Sequence, residues 1–578
     1  MENISRFVFL PLTICLLVIA FNEKLRRRVL AVDMAASFEK KLGGLERGYW
    51  AAFTLIMAAG VFVRCYRFLE LPLGVNQDGT LAAVEAYCLA MDGTDQYGRS
   101  WPTYFEAWKF SQMSTLYSWL MIPFIRLLGL SKLTLRLPML LVSLAMLPLI
   151  WDFARRIAGK GYALFVLLIA ATSPWHILQS RWALEANLMP HVLLTGMYLL
   201  YLGREKRWAL YLSMVLFALT PYAYGVACFV VPVILVLTAA FYLARGKANV
   251  LDVIICVALF AGIAGPYFYT MLINAFGLET AQLGPITMPF FEKSLRSNDM
   301  AFTQENPYYQ MVWNIMQHLG TWLCYGIAEA YSVLPWTHSV YLFMPPLLLA
   351  GVYMLWSERR ALALRAQENS FRDGGMLLLI WLCAAVFSGM MIGGIVNRNN
   401  AVFYPLMFFA GFALYQMGKR LRMALALFVV MLMISFTGLS ITYFTDESYQ
   451  NEVGDSFHRD LYQALVDTWS WDYDRYYVLS MDENAHKTFM TGSVMFAHQI
   501  DYSERNEDRD LDGPDGEPTG WYFTERYVFT DYQDFEPDPM ECAVYIISQN
   551  EKHLFDPADY LIADYDIFSA VYPRYWAE

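Results

Sequence analysis

Residues 50–102 read WAAFTLIMAAGVFVRCYRFLELPLGVNQDGTLAAVEAYCLAMDGTDQYGRSWP, and this stretch decides the fold class. Residues 50–69 are apolar over about the 20-residue length that an α-helix needs to cross the hydrocarbon core of a bilayer. The chain then turns polar, and Asp78 follows the apolar run by only a few residues. The pattern predicts a membrane-spanning helix that ends in a loop carrying a carboxylate at the boundary between lipid and water.

The rest of the chain repeats the apolar half of this pattern. Its 578 residues are 57% hydrophobic and 16% charged, with a mean hydropathy of +0.34. Apolar runs near the spanning length recur along it, which is typical of a polytopic membrane protein. We predict a polytopic α-helical membrane protein of about twelve transmembrane helices. The predicted spans are residues 7–21, 50–69, 134–153, 161–178, 187–202, 208–220, 224–243, 251–273, 340–356, 376–395, 401–417 and 423–444.

Basic clusters indicate how these helices are oriented. They lie at residues 24–28, 155–160, 204–207, 245–247, 359–372 and 419–422. All six fall on one side if both termini are outside, and the positive-inside rule makes that side the cytoplasm. The apolar segment 113–128 would break this alternation if it crossed, so we predict that it lies flat on the outer surface as an interfacial helix. Asp78 then belongs to a first outer loop of residues 70–133.

Charge divides the chain near residue 445. Residues 445–578 contain 30 acidic and 8 basic residues, a net charge of −22, whereas residues 1–444 carry +11. We therefore predict a transmembrane domain over residues 1–444 and an acidic extracytoplasmic domain over residues 445–578. Such acidity argues against nucleic acid as a partner, because the domain could not neutralise phosphates.

The acidic domain alternates helical and strand patterns. HRDLYQALVDTW (458–469) is typical of a helix, whereas DRYYVLS (474–480), ECAVYIIS (541–548) and DYLIADYDIFSAVY (559–572) are strand-like. The alternation predicts a small α/β domain.

One acidic run in this domain resembles a metal loop. Asp508, Asp510 and Asp512 alternate before Gly513, as the carboxylates that open an EF-hand calcium loop do. The glutamate that closes such a loop is replaced by Thr519. The run is therefore either a possible calcium site or a solvated acidic loop.

Four stretches carry a family resemblance. They are VNQDGTLAAVEAYCLAMDGTDQYGRSWP (75–102), QMSTLYSWLMIPFIRLLGLSKLTLRLP (112–138), SPWHILQSRWALEANL (173–188) and VNRNNAVFYPLMFFAGFAL (396–414). In this order they resemble the GT-C glycosyltransferases, in particular the bacterial protein O-mannosyltransferase-like group, family 39. These multispanning enzymes take a sugar from a polyprenyl-phosphate donor.

The resemblance implies a GT-C type fold and a catalytic aspartate in the first outer loop, at the position of Asp78, followed by juxtamembrane helices. It also implies a bacterial cytoplasmic membrane as the location. The chain differs from the common pattern at Gly79, where relatives usually have a second acid, and at Met113, where many have a lysine.

Transfer of a sugar from a lipid phosphate needs a base for the acceptor hydroxyl and positive charge for the departing phosphate. Asp78 is the candidate base, with inversion at the anomeric carbon. The alternative is that Asp78 only caps the helix that starts near Thr80. The candidate phosphate ligands are Arg181 and Arg398, since basic residues at outer helix ends run against the positive-inside trend. Lys109, in the outer loop, is a further candidate whose charge could simply be solvated. Each arginine could instead extend towards lipid headgroups.

Supporting residues surround these candidates. Glu185 follows Arg181 by four residues and could form an ion pair with it on one helical face. Asn187 lies two residues further on, and Gln112 opens the second family stretch. Asp95 also resembles a family position, but aspartate next to glycine favours a role in the turn. No His, Asp or Glu set in the membrane part has metal-ligand spacing, so we expect no catalytic metal.

The sequence therefore predicts a membrane glycosyltransferase whose acceptor is a glycan, a lipid or a protein. A transporter or flippase of lipid-linked sugars is the main alternative, but such proteins place ionisable residues near the bilayer midplane, whereas the polar groups here cluster at the outer ends. A polymerase or ligase of outer-face glycans is a further alternative, which would use a pyrophosphate-linked donor.

Overall fold

The computed structural model describes most of the chain. It covers residues 1–30, 46–108, 111–292, 300–323, 329–334, 336–361, 368–480, 487–505, 509–512, 518–531 and 535–576.

Helices joined by short connections build the membrane part. In chain order they are α1 (Glu2–Phe21), α2 (Glu23–Leu30), α3 (Glu46–Cys65), α4 (Gln77–Met91), α5 (Leu116–Leu128), α6 (Lys132–Ala158), α7 (Lys160–Thr172), α8 (Pro174–Gln179), α9 (Glu185–Gly203), α10 (Arg207–Ala223), α11 (Ala227–Ala244), α12 (Val250–Phe276), α13 (Pro307–Leu323), α14 (Pro345–Ala361), α15 (Glu368–Met391), α16 (Phe403–Arg420) and α17 (Arg422–Thr445).

A helix lies at each of the twelve predicted spans. Within the part of the chain that the structure describes, eight are long and apolar enough to cross a membrane, namely α1, α3, α6, α11, α12, α15, α16 and α17. The other four, α7, α9, α10 and α14, are shorter or less apolar. Helix α7 has 13 residues, or about 20 Å of helix, against a hydrocarbon core of about 30 Å. The predicted polytopic helical fold is confirmed, and length and composition support eight of its spans.

The helices differ in how deeply they are buried in the protein. The most apolar window of Val396–Arg420, the segment that contains α16, is 89% buried, whereas the corresponding windows of α3 and α12 are only 17% buried. Helix α16 is therefore central, and α3 and α12 present apolar side chains outward, as helices that face lipid do.

The segment between α3 and α6 holds the first family stretch and most of the second. It contains α4, a short antiparallel hairpin of β1 (Phe105–Ala107) and β2 (Ser111–Met113), and α5. Helix α5 buries Tyr117, Met121 and Ile125 against its neighbours, while Leu127 is 80% exposed. A helix at the predicted interfacial segment is therefore present, and its flat placement on a membrane stays a prediction. A second hairpin, β3 (Ala281–Leu283) and β4 (Ile286–Met288), follows α12.

Beyond α17 the chain forms an α/β domain. Its elements are α18 (Glu447–Ser456), α19 (Leu461–Trp469), β5 (Arg475–Ser480), α20 (Lys487–Ala497), α21 (Tyr502–Arg505), β6 (Arg509–Asp512), β7 (Pro518–Phe523), β8 (Tyr527–Asp531), β9 (Ala543–Ser548), β10 (Tyr560–Asp564) and β11 (Phe568–Pro573). The strands form one sheet in the order β10-β11-β9-β5-β8-β7-β6, in which β5 pairs parallel with both β8 and β9.

The α/β prediction for this domain is confirmed, with one difference in detail. The strand-like segment 559–572 is a hairpin of β10 and β11 rather than one strand, and it turns where the Tyr565 N–H donates to the Phe568 carbonyl at 3.0 Å. At the turn, Asp564, Tyr565 and Asp566 separate the two apolar runs without a glycine or proline.

The α/β domain packs on the segment that carries Asp78. Helix α20 lies against α4, and a Cβ placed at Gly492 of α20 would lie 3.8 Å from the Thr80 hydroxyl oxygen. The Asp92 carboxylate at the end of α4 accepts the backbone N–H of Tyr502 at 3.1 Å. The acidic domain therefore supports the loop that carries the candidate base.

Candidate functional site

Asp78 lies in the first turn of α4. The helix is capped by Asn76, whose side-chain oxygen accepts the Asp78 backbone N–H at 2.9 Å. Capping is thus supplied by Asn76, and the alternative in which Asp78 serves only as the cap loses its basis. The Asp78 side chain is half-buried.

Gly79 next to it packs closely on the turn before α9. A Cβ at this position would lie 3.0 Å from the Ala183 carbonyl oxygen and 3.4 Å from the Ala183 Cβ. A longer side chain would require the backbone to shift. A second acid at this position would require the Ala183 backbone to move by a few tenths of an ångström.

Three aromatic rings stand beside Asp78. Tyr331 packs against Trp182 at 5.3 Å and against Phe457 at 5.5 Å between ring centroids. Tyr331 lies within electrostatic range of Asp78. Burial first, and then the charges of Glu329 and Asp78, raise the pKa of its hydroxyl above the ordinary value. The three rings come from a loop, from the turn before α9 and from the acidic domain, and together they form one apolar wall.

Asparagines of the NRNN turn before α16 form a second wall. Asn397 lies within 3.4 Å of the Ser332 hydroxyl and 3.5 Å of the Gln179 amide nitrogen. Asn400 accepts the Trp175 indole N–H at 2.8 Å and donates to the Ala186 carbonyl. These bonds hold the turn, so Arg398 is presented half-buried between Asn397 and Asn399. Arg398 lies within electrostatic range of His318 on α13.

Several buried polar atoms near this turn have no hydrogen-bond partner among the described residues. They are the Gln179 and Asn187 amide oxygens, the Ser114 hydroxyl and the Trp182 indole N–H. All four side chains are at most 3% exposed. Buried polar groups are normally bonded, so several unpartnered ones in one place are typical of a site that takes a polar ligand or ordered water. We call these four side chains the polar cluster.

Glu185 and Gln112 adjoin the polar cluster. The Glu185 carboxylate accepts the backbone N–H of Ser114, which follows β2, and Gln112 lies buried in β2 itself. Glu185 is thus bonded to the segment that follows Gln112, and Asn187 lies two residues after Glu185 on α9. Lys109 lies outside the described residues.

Arg181 has partners other than the expected ones. Its guanidinium donates to the carbonyls of Val63, Arg64, Tyr66, Arg67 and Leu71 at 2.7 to 3.4 Å and to the Tyr443 hydroxyl at 3.1 Å. These contacts use all three guanidinium nitrogens at the end of α3, where helix carbonyls lack intrahelical partners. We therefore leave Arg181 out of the phosphate site. The expected ion pair with Glu185 is wrong for the same reason.

Arg136 complements Arg181, and sequence analysis missed it. It is 2% exposed and donates to the carbonyls of Phe68, Leu69, Pro72 and Gly74 at 2.8 to 3.5 Å. Together the two arginines hold the backbone from α3 to Asn76 and thereby position Asp78. In the sequence, Arg136 is an arginine next to the apolar run of α6, and this pattern does not indicate which groups it binds.

A chain of hydrogen bonds within the helical bundle was also missed. Arg64 bonds the His176 ring at 2.9 Å, Tyr404 bridges His176 and His191 at 3.1 and 2.7 Å, and His191 meets the Ser143 hydroxyl at 3.1 Å. These residues come from five helices. Because each member has a partner, the chain satisfies buried polar groups and fixes α8 against α16.

Asp95 shapes a turn, as its neighbours in the sequence indicated. One carboxylate oxygen accepts the backbone N–H groups of Tyr97 at 3.0 Å and Arg99 at 2.8 Å. Burial raises the pKa of Asp95 to about 6, against the lowering effect of Arg99. The residue is fully buried under the acidic domain rather than beside Asp78.

Glu85 is a second buried acid of this region. Burial first, and then the charge of Asp95, raise the pKa of Glu85 to about 8. Its carboxylate accepts both the backbone and side-chain N–H of Gln96, and Gln96 in turn accepts Arg505 of α21 at 2.5 Å. Glu85 therefore links α4 to the acidic domain.

The candidate calcium run is only partly described. Asp508 lies outside the described residues, and Asp510 and Asp512 lie on β6, which pairs with β7 and shifts register between Leu511 and Asp512. An EF-hand opens with an irregular loop rather than a paired strand. Among the described residues no group of three or more His, Cys, Asp or Glu could hold a metal ion. Calcium binding stays a prediction.

Comparison with known proteins finds likeness in structure only. No family model and no curated protein sequence matches the chain. The crystal structure of ArnT from Cupriavidus metallidurans bound to undecaprenyl phosphate aligns over 90% of this chain and 97% of ArnT, with a TM-score of 0.51 and 13% identity.

Two further glycosyltransferase structures align less well. The archaeal oligosaccharyltransferase AglB from Archaeoglobus fulgidus, in complex with an inhibitory peptide and a dolichol-phosphate, covers 80% of this chain and 64% of its own, with a TM-score of 0.45 and 12% identity. The mycobacterial arabinofuranosyltransferase AftD covers 75% of this chain and 29% of its own, with a TM-score of 0.34 and 13% identity. These two TM-scores are too low to support an inference about this chain. The ArnT alignment, in contrast, covers nearly all of both chains. This chain has the GT-C glycosyltransferase fold.

Proposed function

We propose that this protein is a membrane glycosyltransferase that moves a sugar from a polyprenyl-phosphate donor to an acceptor hydroxyl. One observation carries the proposal. Asp78 lies at the start of α4 without being needed as its cap, beside buried polar atoms that have no partner among the described residues. The ArnT structure, which was solved with undecaprenyl phosphate, supports the donor class.

In the proposed reaction Asp78 takes the proton of the acceptor hydroxyl as that oxygen attacks the anomeric carbon. The new bond joins the acceptor oxygen to the sugar, the bond between the sugar and the phosphate oxygen breaks, and the phosphate departs with the bonding electrons. Attack from the face opposite the phosphate inverts the anomeric centre. The polar cluster would bind sugar hydroxyls, since unpartnered amide oxygens accept hydroxyl protons.

Arg398 is the proposed cation for the departing phosphate. Of the two arginines predicted for this role, Arg181 is fully engaged by backbone carbonyls, so Arg398 is the arginine that we retain. Lys109 stays a candidate by its position two residues before β2. A fixed cation stabilises charge that develops in the transition state more than charge already present in the donor.

The acceptor is proposed to be a glycan, lipid or protein on the outer face of a bacterial cytoplasmic membrane. The acidic domain packed on α4 and the basic clusters at the opposite helix ends support this orientation. The calcium site on residues 508–512 is proposed only as a structural feature of that domain.

The test uses the full-length protein in proteoliposomes with a panel of polyprenyl-phosphate sugars and a bacterial envelope extract as the source of acceptor hydroxyls, and measures the release of polyprenyl phosphate. We expect release with at least one donor, and its loss in Asp78→Asn. Release at the wild-type rate by Asp78→Asn would exclude Asp78 as the base. Movement of the donor between leaflets without sugar release would instead support the transporter alternative.

A further inference from the structure

A separate apolar pocket lies between the membrane helices. It has a volume of about 410 Å³ and is formed by α9, α10, α11 and α12. Its walls include Leu200, Met214, Ala239, Cys256 and Phe260. Such a volume can hold a substantial part of a lipid acyl chain, and the partly open shape gives access from the surrounding bilayer.

This pocket lies at the end of the helices opposite Asp78. Helix α12 places Tyr267 within electrostatic range of Glu185, whereas Cys256 of the pocket precedes Tyr267 by eleven residues. That separation corresponds to about 16 Å along the helix axis. The pocket is thus distinct from the polar cluster and from Arg398.

The mouth of the pocket is basic. Arg245 and Lys247 lie directly after α11, one helical turn beyond the lining residue Tyr242. The lining residue Asp252 does not oppose an anion, because its carboxylate is engaged by Arg207 at 2.9 Å, the Tyr211 hydroxyl at 2.8 Å and the Asn249 N–H at 2.8 Å.

A second acid, Asp373, lies within electrostatic range of Arg204, Arg245 and Lys247. Arg204 has its own partner, Glu205, at 2.9 Å. Asp373 is a single carboxylate, and it makes no hydrogen bond within the described residues. Arg245 and Lys247 therefore leave an excess of positive charge at the mouth.

The wall of the pocket also contains an unused polar atom. Thr238 is 3% exposed, and its hydroxyl has no hydrogen-bond partner among the described residues. It lies one turn further into the pocket than Tyr242. A hydroxyl in that position can donate a hydrogen bond to an ester oxygen of a lipid whose headgroup lies at Arg245.

We propose that this pocket binds one anionic phospholipid of the adjacent leaflet, with an acyl chain between α11 and α12 and its phosphate at Arg245 and Lys247. The apolar walls contact the acyl chain, and the basic residues at the mouth bind the phosphate. The opposite end of the bundle remains available for the donor. Basic pockets between transmembrane helices select anionic headgroups by the same combination.

The experiment measures binding of dioleoyl phosphatidylglycerol to the purified full-length protein in detergent, by native mass spectrometry and by the shift in thermal unfolding midpoint. Dioleoyl phosphatidylcholine serves as the uncharged comparison. We expect phosphatidylglycerol to bind and to raise the midpoint more than phosphatidylcholine. The double variant Arg245→Gln with Lys247→Gln should weaken phosphatidylglycerol binding by about 30-fold, at roughly 1 kcal/mol for each basic residue.

The pocket itself is tested by a matched pair of variants on α11. Ala239→Trp places a ring in the pocket, whereas Ala240→Trp adds the same ring at the neighbouring exposed position, which does not line the pocket. Phosphatidylglycerol binding should be lost in the first variant and kept in the second. Equal binding by both variants, equal effects of the two phospholipids, or a response to undecaprenyl phosphate alone would each overturn the proposal. None of these readouts depends on transferase activity.

Discussion

The side-chain oxygen of Asn76 accepts the backbone N–H of Asp78 at 2.9 Å. The N-terminus of α4 thus has its cap one position before the helix begins, and the Asp78 carboxylate lies in the first turn. The two residues have separate tasks, since one ends the loop and the other carries the acid of the proposed reaction. Substitutions at the two positions should therefore have different effects.

Asp78→Asn should lower the transfer rate by about 100- to 10,000-fold, the range over which a general base contributes. The thermal midpoint should change little. Asn76→Ala should instead destabilise the protein by about 1 kcal/mol through loss of the cap. Donor turnover and thermal unfolding measured on the same preparations separate the two effects. The control is Glu70→Gln, an exposed acid of the same loop paired with Arg67. A drop in activity for the control equal to that of Asp78→Asn would contradict the assignment.

Substitutions of Arg181 and Arg398 should also have different effects. Arg181→Gln removes several charge-assisted hydrogen bonds to buried carbonyls, and we expect it to cost about 2–4 kcal/mol of stability. Arg398→Gln should weaken the binding of undecaprenyl phosphate. Thermal unfolding with and without undecaprenyl phosphate makes the comparison. An unchanged response of Arg398→Gln to that lipid would remove Arg398 from the phosphate site.

The stability of the protein should fall as pH rises. Burial raises the pKa of Glu85 to about 8, well above that of an exposed glutamate. The folded state therefore keeps a proton on Glu85 at pH values where the unfolded state has lost it, and this contribution is complete at low pH and lost as pH rises through about 8. Asp95, with a pKa near 6, acts in the same direction at lower pH.

Glu85→Gln should flatten this dependence between about pH 5 and pH 8, because the amide does not titrate. The measurement is the thermal midpoint of the full-length protein across that range. Glu452→Gln, an exposed acid of the same charge, is the control and should keep the wild-type slope. Parallel curves for wild type and Glu85→Gln would show that Glu85 is not the group responsible.

Two glycines test the contact between the first outer loop and the acidic domain. Gly93 and Gly98 both have positive φ, +75° and +81°, so alanine costs both of them about 1 kcal/mol of backbone strain. A Cβ at Gly98 would also lie 2.6 Å from the Tyr502 ring, whereas nothing lies within 4 Å of one at Gly93.

We therefore expect Gly98→Ala to raise hydrogen exchange in residues 502–505 and Gly93→Ala to leave it unchanged. The difference between the two variants reports the loss of packing at Tyr502, because the strain is common to both. Similar exchange in the two variants would mean that the acidic domain adjusts to the added methyl group.

Much of the fold was predictable because its signals are local. Apolar run lengths placed helices at all twelve predicted spans, and short strand-like runs placed β5 and β9. The strand-like segment 559–572 gives no glycine or proline to mark the turn between β10 and β11. The site was predictable only in part. Glu185 bonds the segment that follows Gln112, and Gly79 packs on the turn before α9, whereas Arg181 belongs to the structural support of the loop. The roles of Asp78 and Arg398 stay predictions.

The sequence by itself determined that this chain is a polytopic helical membrane protein with an acidic α/β domain and an acid just beyond an early span. Helix length, amphipathic period and charge sign are properties of consecutive residues, so they can be read along the chain. Only the tertiary structure decided which cations support the backbone and which face the proposed phosphate. The carbonyls that engage Arg181 and Arg136 lie 62 to 118 residues away in sequence. A buried guanidinium takes whichever acceptors the packing brings to it.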